Sequence, residues 1–376
     1  MVFWIQLLSY FNLAGAIHAL IQALVLFFVR RGNRRANRVM ALFLTALAVG
    51  MTNGIIAQLG LYDRLPVLSI PMGAVVLAFG PLFYFYIRAM TVRERRWTPV
   101  DILHWLPFLL GLVAYGVHLR WALGGPPPSG LFAAAARAPW RAVLALAILQ
   151  TIAYITAVIC LLRAYSGRVK ASLSTIDRVS LGWLRRRLVV YAAIWAIGCA
   201  LFVSVRFEPQ AVRLISQIVA FLTALNTFVT GYRAMLQPEI LFGPAAAEPR
   251  RKYERSSLTP EAAASHKARL FELMERERTY LDPEITLPGL AQTLEIPSAH
   301  LSRLLNDVLG SNFYEFINRY RIEEAKGRLS GPGAAQDKLI AVAFECGFSS
   351  LATFNRVFKE MTGLTPSEFR KGSSVH

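Results

Sequence analysis

The chain has 376 residues, of which 55% are apolar and only 17% charged, with a positive mean hydropathy. Soluble domains carry about 25% charged residues, so the composition speaks against a protein that is water-exposed throughout. The net charge of +18 does not mark a basic nucleic-acid domain, because residues 244–376 hold 18 Lys and Arg against 17 Asp and Glu, and the basic excess lies in residues 1–243.

A membrane-crossing helix needs about 20 apolar residues. Seven stretches reach roughly that length: 3–29, 39–61, 67–87, 102–119, 142–162, 188–207 and 212–236. They are apolar nearly all round, which suits lipid better than the one-sided packing of a soluble helix. The first lacks a basic start and a small-residue cleavage site, so it reads as a retained helix and not as a signal peptide. The third contains Pro71 and Pro81, which bend it where neighbouring helices satisfy the freed carbonyls. The fourth is the shortest and contains Pro107.

Basic residues between the spans alternate in density. The loops after spans one, three and five hold 16 Lys and Arg, and the alternate side holds 6. Basic loops stay cytoplasmic, so the N-terminus is expected outside. After seven crossings the C-terminal region is expected inside, at the cytoplasmic face of a bacterial inner membrane. The longest outer loop, about 120–141, is too short to be a sensor domain of its own.

Polar residues within spans face a bundle interior or a cavity. His18 and Gln22 are four apart and share a face; Asn12 lies on the same span. Thr52 and Asn53 sit inside Gly50-x-x-x-Gly54. Ser216, Thr223, Thr227 and Thr230 form a stripe with Asn226 beside it. Two readings stand: a ligand pocket or switch lined by His18, Gln22, Asn53 and Asn226, or interhelical hydrogen bonds that hold the bundle together. The Gly50–Gly54 pair reads as close packing within the bundle.

No acidic residue lies deep in a span, which weighs against ion-coupled transport. The six histidines have no metal-ligand spacing, the three cysteines (Cys160, Cys199, Cys346) form no C-x-x-C pair, and there is no Gly-rich phosphate loop. No metal, cofactor or enzymatic activity is therefore expected. An integral-membrane transporter or a scaffold with a helical regulatory tail remains the alternative class.

Residues 239–258 are rich in Pro, Ala and charge and read as a linker, in which Arg250, Arg251 and Lys252 suit either an anionic leaflet or solvent. Thr259-Pro260-Glu261 then starts a helix that runs to about residue 278. A first helix-turn-helix is expected over about 287–308, a linker helix over about 312–329, and a second helix-turn-helix over about 338–361. In the first, Ala299, Ser302 and Arg303 share the exposed face of the second helix. In the second, Ile340, Ala341, Ala343 and Phe344 give an apolar face, and Gly347 allows a left-handed stop. Ser349 or Ser350 caps the next helix. There Phe354, Val357 and Phe358 point inward, and Leu351, Ala352, Asn355 and Arg356 point outward. Gly363 closes that helix and Thr365-Pro366 opens another.

The pattern of Ile340, Ala343, Gly347, Phe348, Ser350, Phe354, Arg356, Phe358, Lys359, Gly363, Thr365, Pro366 and Arg370 resembles the AraC family signature, and the likeness extends over about 287–370. One departure is Pro297, where the family often has a capping Ser; Ser298 is expected to cap one residue later. The resemblance implies a DNA-binding domain over 259–376. Its two reading helices would enter successive major grooves about one turn apart, ~34 Å. Ala299, Ser302 and Arg303 would enter one groove, and Leu351, Ala352, Asn355 and Arg356 the next. Arg303 and Arg356 would grip guanine and Asn355 would pair with adenine; Lys359 and Arg319 would touch phosphate or solvent.

The expected fold is all-α, with a seven-span bundle over 1–238 and a double helix-turn-helix after it. The expected function is a membrane-embedded transcription regulator with a sensing bundle. Its partners would be double-stranded DNA, the lipid bilayer and a small-molecule or membrane signal, with a second copy of the chain and RNA polymerase as further candidates.

Overall fold

A backbone in an apolar surrounding must satisfy its N–H and C=O groups within the segment, and the long apolar runs of this chain fold accordingly as helices. The computed structural model describes residues 2–29, 33–92, 98–130, 133, 137–176, 181–204, 209–236, 259–331 and 337–373. The linker expected at 239–258 lies outside the described residues. Among those residues there is no strand, only a single antiparallel bridge between Leu173 and Thr286. The chain divides into two units: Met1–Arg163 with Leu181–Ile240, and Ala164–Ser180 with Leu241–His376.

The N-terminal helices are α1 (Val2–Phe28), α2 (Arg34–Gln58), α3 (Val76–Thr91), α4 (Leu106–Ala122), α5 (Pro139–Ser172), α6 (Gly182–Ser204) and α7 (Pro209–Leu236). Within the first unit α1 packs on α2 and α7, α2 on α3, and α6 on α7. Small residues let them approach. A side chain on Gly54 would overlap the Gln217 amide, one on Gly231 the Gln22 amide, and Gly50 faces Val75 and Phe79. Both glycines of the 50–54 pair thus serve packing inside one bundle.

The third apolar run breaks at Val75, between a short helix Ser69–Ala74 that contains Pro71 and α3. Pro81 leaves the Leu77 carbonyl without its helical partner, and Gln150 of α5 donates to that carbonyl at 3.0 Å. Pro107 falls in the first turn of α4, where its missing N–H costs nothing.

The bundle is apolar outside and buries a minority of polar residues in an otherwise apolar interior. Phe3, Phe11, Leu24, Val113, Leu149, Ile152, Val189 and Phe228 are exposed, whereas Asn12, Gln22, Asn226, Thr227 and Thr230 are buried. Asp101 is also buried, 2.5 Å from Arg88, and closes a capping box with Thr98. Arg88, one of the 16 basic residues of the basic loops, is therefore neutralised by a buried partner.

Among the described residues six stretches are long and apolar enough to cross a membrane: Val2–Phe28, Arg34–Gln58, Pro66–Thr91, Pro99–Ala122, Arg141–Ser172 and Arg213–Met235. The expected span at 188–207 falls on α6 and is not among them. Arg185, Arg186 and Arg187 occupy the start of α6, and residues 205–208 lie outside the described residues, so the apolar part left to it is short.

In the second unit, α8 (Pro260–Glu272) starts on Thr259, whose hydroxyl accepts from the Ala262 N–H. It continues as a wider turn, Leu273–Glu277, and stops at Arg278 with φ 51°. Then come α9 (Leu287–Thr293), α10 (Ser298–Arg303), α11 (Phe313–Ser330), α12 (Leu339–Glu345), α13 (Leu351–Thr362) and α14 (Pro366–Ser373). Two cores flank α11. One gathers Leu270, Met274, Leu290, Leu294, Leu301, Leu304, Phe313, Phe316 and Ile317. The other gathers Tyr314, Ile322, Ala325, Leu329, Val342, Ala343, Cys346, Phe348, Phe354, Val357 and Phe358. Because α11 gives one face to each, it fixes each half relative to itself.

Candidate nucleic-acid interface

Each reading helix is set by its cap and its buried face. Ser350 caps α13 by accepting from the Thr353 N–H at 3.2 Å, and Gly363 ends it at φ 79°. Phe354, Val357 and Phe358 are at most 1% exposed. That leaves Ala352, Asn355 and Arg356 exposed on the other side. Leu351 is half-buried against the second core, so it presents less of itself than the sequence suggested. Before α13, Gly347 takes φ 83°, and an added Cβ there would meet the carbonyls of Tyr280 and Leu281 at 2.8 Å. The short α12 turns Val342 and Ala343 inward; Ile340 and Phe344, expected on its packed face, are 45% and 53% exposed. With only two turns, α12 has room for one inward stripe, and Cys346 completes it.

In α10, Leu301 is buried, Arg303 is exposed, and Ala299 and Ser302 are half-buried. Pro297 is the capping position and offers no side-chain bond, so the cap expected from Ser298 is absent; Ser298 is the first helical residue. Asn306, which the sequence reading did not single out, donates to the Ser302 carbonyl at 2.8 Å.

Both candidate base readers have weak local partners. Arg303 lies 3.8 Å from Asp307, and Arg356 lies 3.4 Å from Glu360 and 3.3 Å from the Tyr314 hydroxyl. The two exposed ion pairs, with Asp307 and Glu360, are worth ~0–1 kcal/mol and offer little resistance to a guanine edge or a phosphate. Lys359 and Arg319 are exposed, as solvent or phosphate contacts would be.

Beneath this surface lies a buried cation. Arg321 is fully buried and donates to the Tyr280 and Asp282 carbonyls, both at 2.7 Å. Burial pushes its guanidinium down to about 10, which still leaves it charged at neutral pH. Beside it, burial raises Glu324, but hydrogen bonds from Arg278 and Arg328 outweigh that and hold its carboxyl below the ordinary value. Burial pushes the Cys346 thiol up to about 12, so it behaves as core and not as a nucleophile. Among the described residues no cluster of His, Cys, Asp or Glu could hold a metal.

Of the four polar residues singled out in the spans, His18 and Gln22 both meet Phe228, and Asn226 and Asn53 each have a partner of their own. The His18 ring lies 4.7 Å from that of Phe228, and Gln22 donates to the Phe228 carbonyl at 3.2 Å. Asn226 accepts from Arg187 at 3.1 Å. Asn53 is exposed and accepts from Tyr62. A cavity of about 410 Å³ does lie within the first unit, lined by Asn53 of these four and by Gln217, Tyr154, Tyr191 and Thr223 amid apolar residues. Gln217 also accepts from Asn12 at 2.7 Å. Sequence alone could not rank Gln217 or the two tyrosines, since nothing in their spacing separates a lined cavity from a packed seam.

Residues 290–372 match a family described as a helix-turn-helix domain. An uncharacterised HTH-type transcriptional regulator of Staphylococcus aureus (strain COL) is 34% identical over 87 residues, 23% of this chain and 11% of that protein. The uncharacterised HTH-type transcriptional regulator YisR of Bacillus subtilis (strain 168) is 28% identical over 136 residues, 36% of this chain and 44% of that protein. The chain thus spans under half the length of either relative. No solved structure matches it.

Proposed function

The C-terminal domain is an AraC-type helix-turn-helix domain, and from that premise we propose that the chain is a membrane-embedded, sequence-specific transcription regulator. The observation that carries this reading is the pair of reading helices, α10 and α13, each with an arginine exposed over a packed core. Arg303 and Arg356 are the base readers, Asn355 their neighbour for adenine, and Lys359 and Arg319 phosphate contacts. With 18 basic and 17 acidic residues over 244–376, nonspecific attraction to DNA is modest. Selectivity then depends on direct readout, strengthened by pairing with a second copy; RNA polymerase is the further partner of such a regulator.

The N-terminal helices cross the bacterial inner membrane and act as the sensor. Their exposed apolar surface and buried polar residues support this. The density of Lys and Arg in alternate loops supports a cytoplasmic C-terminus; this requires α6, whose described apolar part is short, to cross as the seventh span. The cavity lined by Asn53, Gln217, Tyr154 and Tyr191 is where a small, mostly apolar signal would bind. The chain performs no catalysis in this reading.

Topology tests it. A reporter that works only in the cytoplasm, fused after His376, is expected to be active, and one inserted at residues 124–130 inactive. The reverse pattern would put the reading helices in the wrong compartment and leave a transporter or scaffold as the better reading.

A further inference from the structure

Residues 164–180 precede the sixth apolar run in sequence, yet they belong to the unit that contains the helix-turn-helix pair. Their contacts there are specific. Leu173 forms the antiparallel bridge with Thr286, the residue that caps α9. The Ser174 hydroxyl donates to the Ile285 carbonyl at 2.8 Å, and the Thr175 hydroxyl to the Pro283 carbonyl at 2.9 Å. From α11, Arg321 donates to the Ser174 and Thr175 hydroxyls at 3.3 and 3.5 Å, and Asn318 to the Ser174 carbonyl at 3.3 Å. Ile176 is buried in the second core, with Val169 and Leu173 packed against it. The Lys170 ammonium lies 5.4 Å from the centre of the Tyr314 ring, whose hydroxyl holds Arg356.

We propose that residues 169–176 are an intramolecular clamp that docks across both halves of the DNA-binding domain and holds the two reading helices in their DNA-competent pose. The proposal rests on the DNA-binding reading above. Three features argue for a built joint. Ser174 is 2% exposed, so its hydrogen bonds are made away from water, where leaving them unmade costs most. The segment bonds to the stretch leading into α9 on one side and adds a buried side chain to the core of α12 and α13 on the other, so it reaches both halves that flank α11. And it engages Arg321, whose remaining bonds tie α11 to the 280–282 loop. The docked segment makes its bonds to 283–286, α11 and the second core. With it docked, Arg303, Ala352 and Asn355 stay exposed, which leaves them open to DNA. Since the segment is the direct continuation of α5, a shift of that helix would reach the reading helices through it, by population shift between docked and undocked forms.

The test uses the full chain in lipid nanodiscs and a duplex selected by the wild type. Leu173→Cys with Thr286→Cys is expected to form a disulfide that neither single variant forms, and the oxidised protein is expected to keep wild-type DNA affinity. Ser174→Ala combined with Ile176→Asp is expected to weaken that affinity roughly fivefold or more, the loss of one or two hydrogen bonds. It should also speed amide exchange at 284–286 while α13 stays protected, which separates undocking from unfolding. Failure of the disulfide to form, loss of DNA binding on oxidation, or wild-type affinity in the undocked variant would each overturn the clamp. If the wild type itself selects no duplex, the DNA-binding reading fails, and disulfide yield with exchange still decides the docking.

Discussion

Gln150 donates to the carbonyl of Leu77 at 3.0 Å, the carbonyl that Pro81 deprives of its helical N–H. One side chain on α5 thus satisfies a polar group that a proline exposes on α3. Gln150→Leu is expected to destabilise the bundle by ~1–3 kcal/mol, the cost of an unmet buried acceptor. Pro81→Ala in the same background should recover most of it, because the backbone then supplies its own donor. Thermal unfolding in detergent reads both; a Gln150→Leu loss that Pro81→Ala does not relieve would show that the amide acts elsewhere.

Arg303 and Arg356 are expected to differ from Lys359 in kind. Arg303→Ala or Arg356→Ala should lower affinity for the preferred duplex by ~1–3 kcal/mol and relax preference at one position each. Lys359→Ala should weaken all duplexes about equally and flatten the salt dependence. Competition binding against single-base variants checks this; equal weakening of every duplex by Arg356→Ala would make it a phosphate contact.

Arg321 is expected to be the costliest single position in the second unit. It makes two 2.7 Å bonds to carbonyls, each worth ~1.5–3 kcal/mol as a charged hydrogen bond. Arg321→Ala should therefore cost about 3–5 kcal/mol, and Arg321→Lys a large part of it, since an ammonium lacks the planar fork. Hydrogen exchange across 280–286 and α13 should rise together. A change confined to the variant's own turn would argue against its bracing role.

Glu324 gives the domain a pH dependence of known sign. Its carboxyl is held below the ordinary value of 4.5 by Arg278 and Arg328. The stability it contributes is present above that value and is lost as pH falls below it. The difference in unfolding midpoint between wild type and Glu324→Gln should be largest near neutrality and shrink below about pH 4. A difference that grows on acidification would have the wrong sign.

Much of this architecture was legible because it rests on local rules. The Thr259 cap and the glycines at 347 and 363 follow from residue type and spacing, and each is where the sequence put it; of Ser349 and Ser350, left open, Ser350 is the cap. The inward faces of α11 and α13 follow from helical period. Short elements were less legible: of the face read on α12, Ala343 is inward, but Ile340, Ala341 and Phe344 are exposed, and the surrounding core selects Val342 in their place. Least legible were contacts distant in sequence. Asn53 and Asn226 looked alike as intramembrane amides, but one meets Tyr62 and a cavity, the other Arg187. Ser174 and Thr175 lie in a plain polar loop, and nothing local announces that Arg321 will bind them.

The most direct measurement is selection from a randomised duplex library by the full-length protein in lipid nanodiscs. The expected product is one enriched motif with two elements about one helical turn apart, ~34 Å, in which Arg303→Ala erases one element and Arg356→Ala the other. A library that stays random, or a motif unchanged in both variants, would contradict a membrane-held reader of DNA.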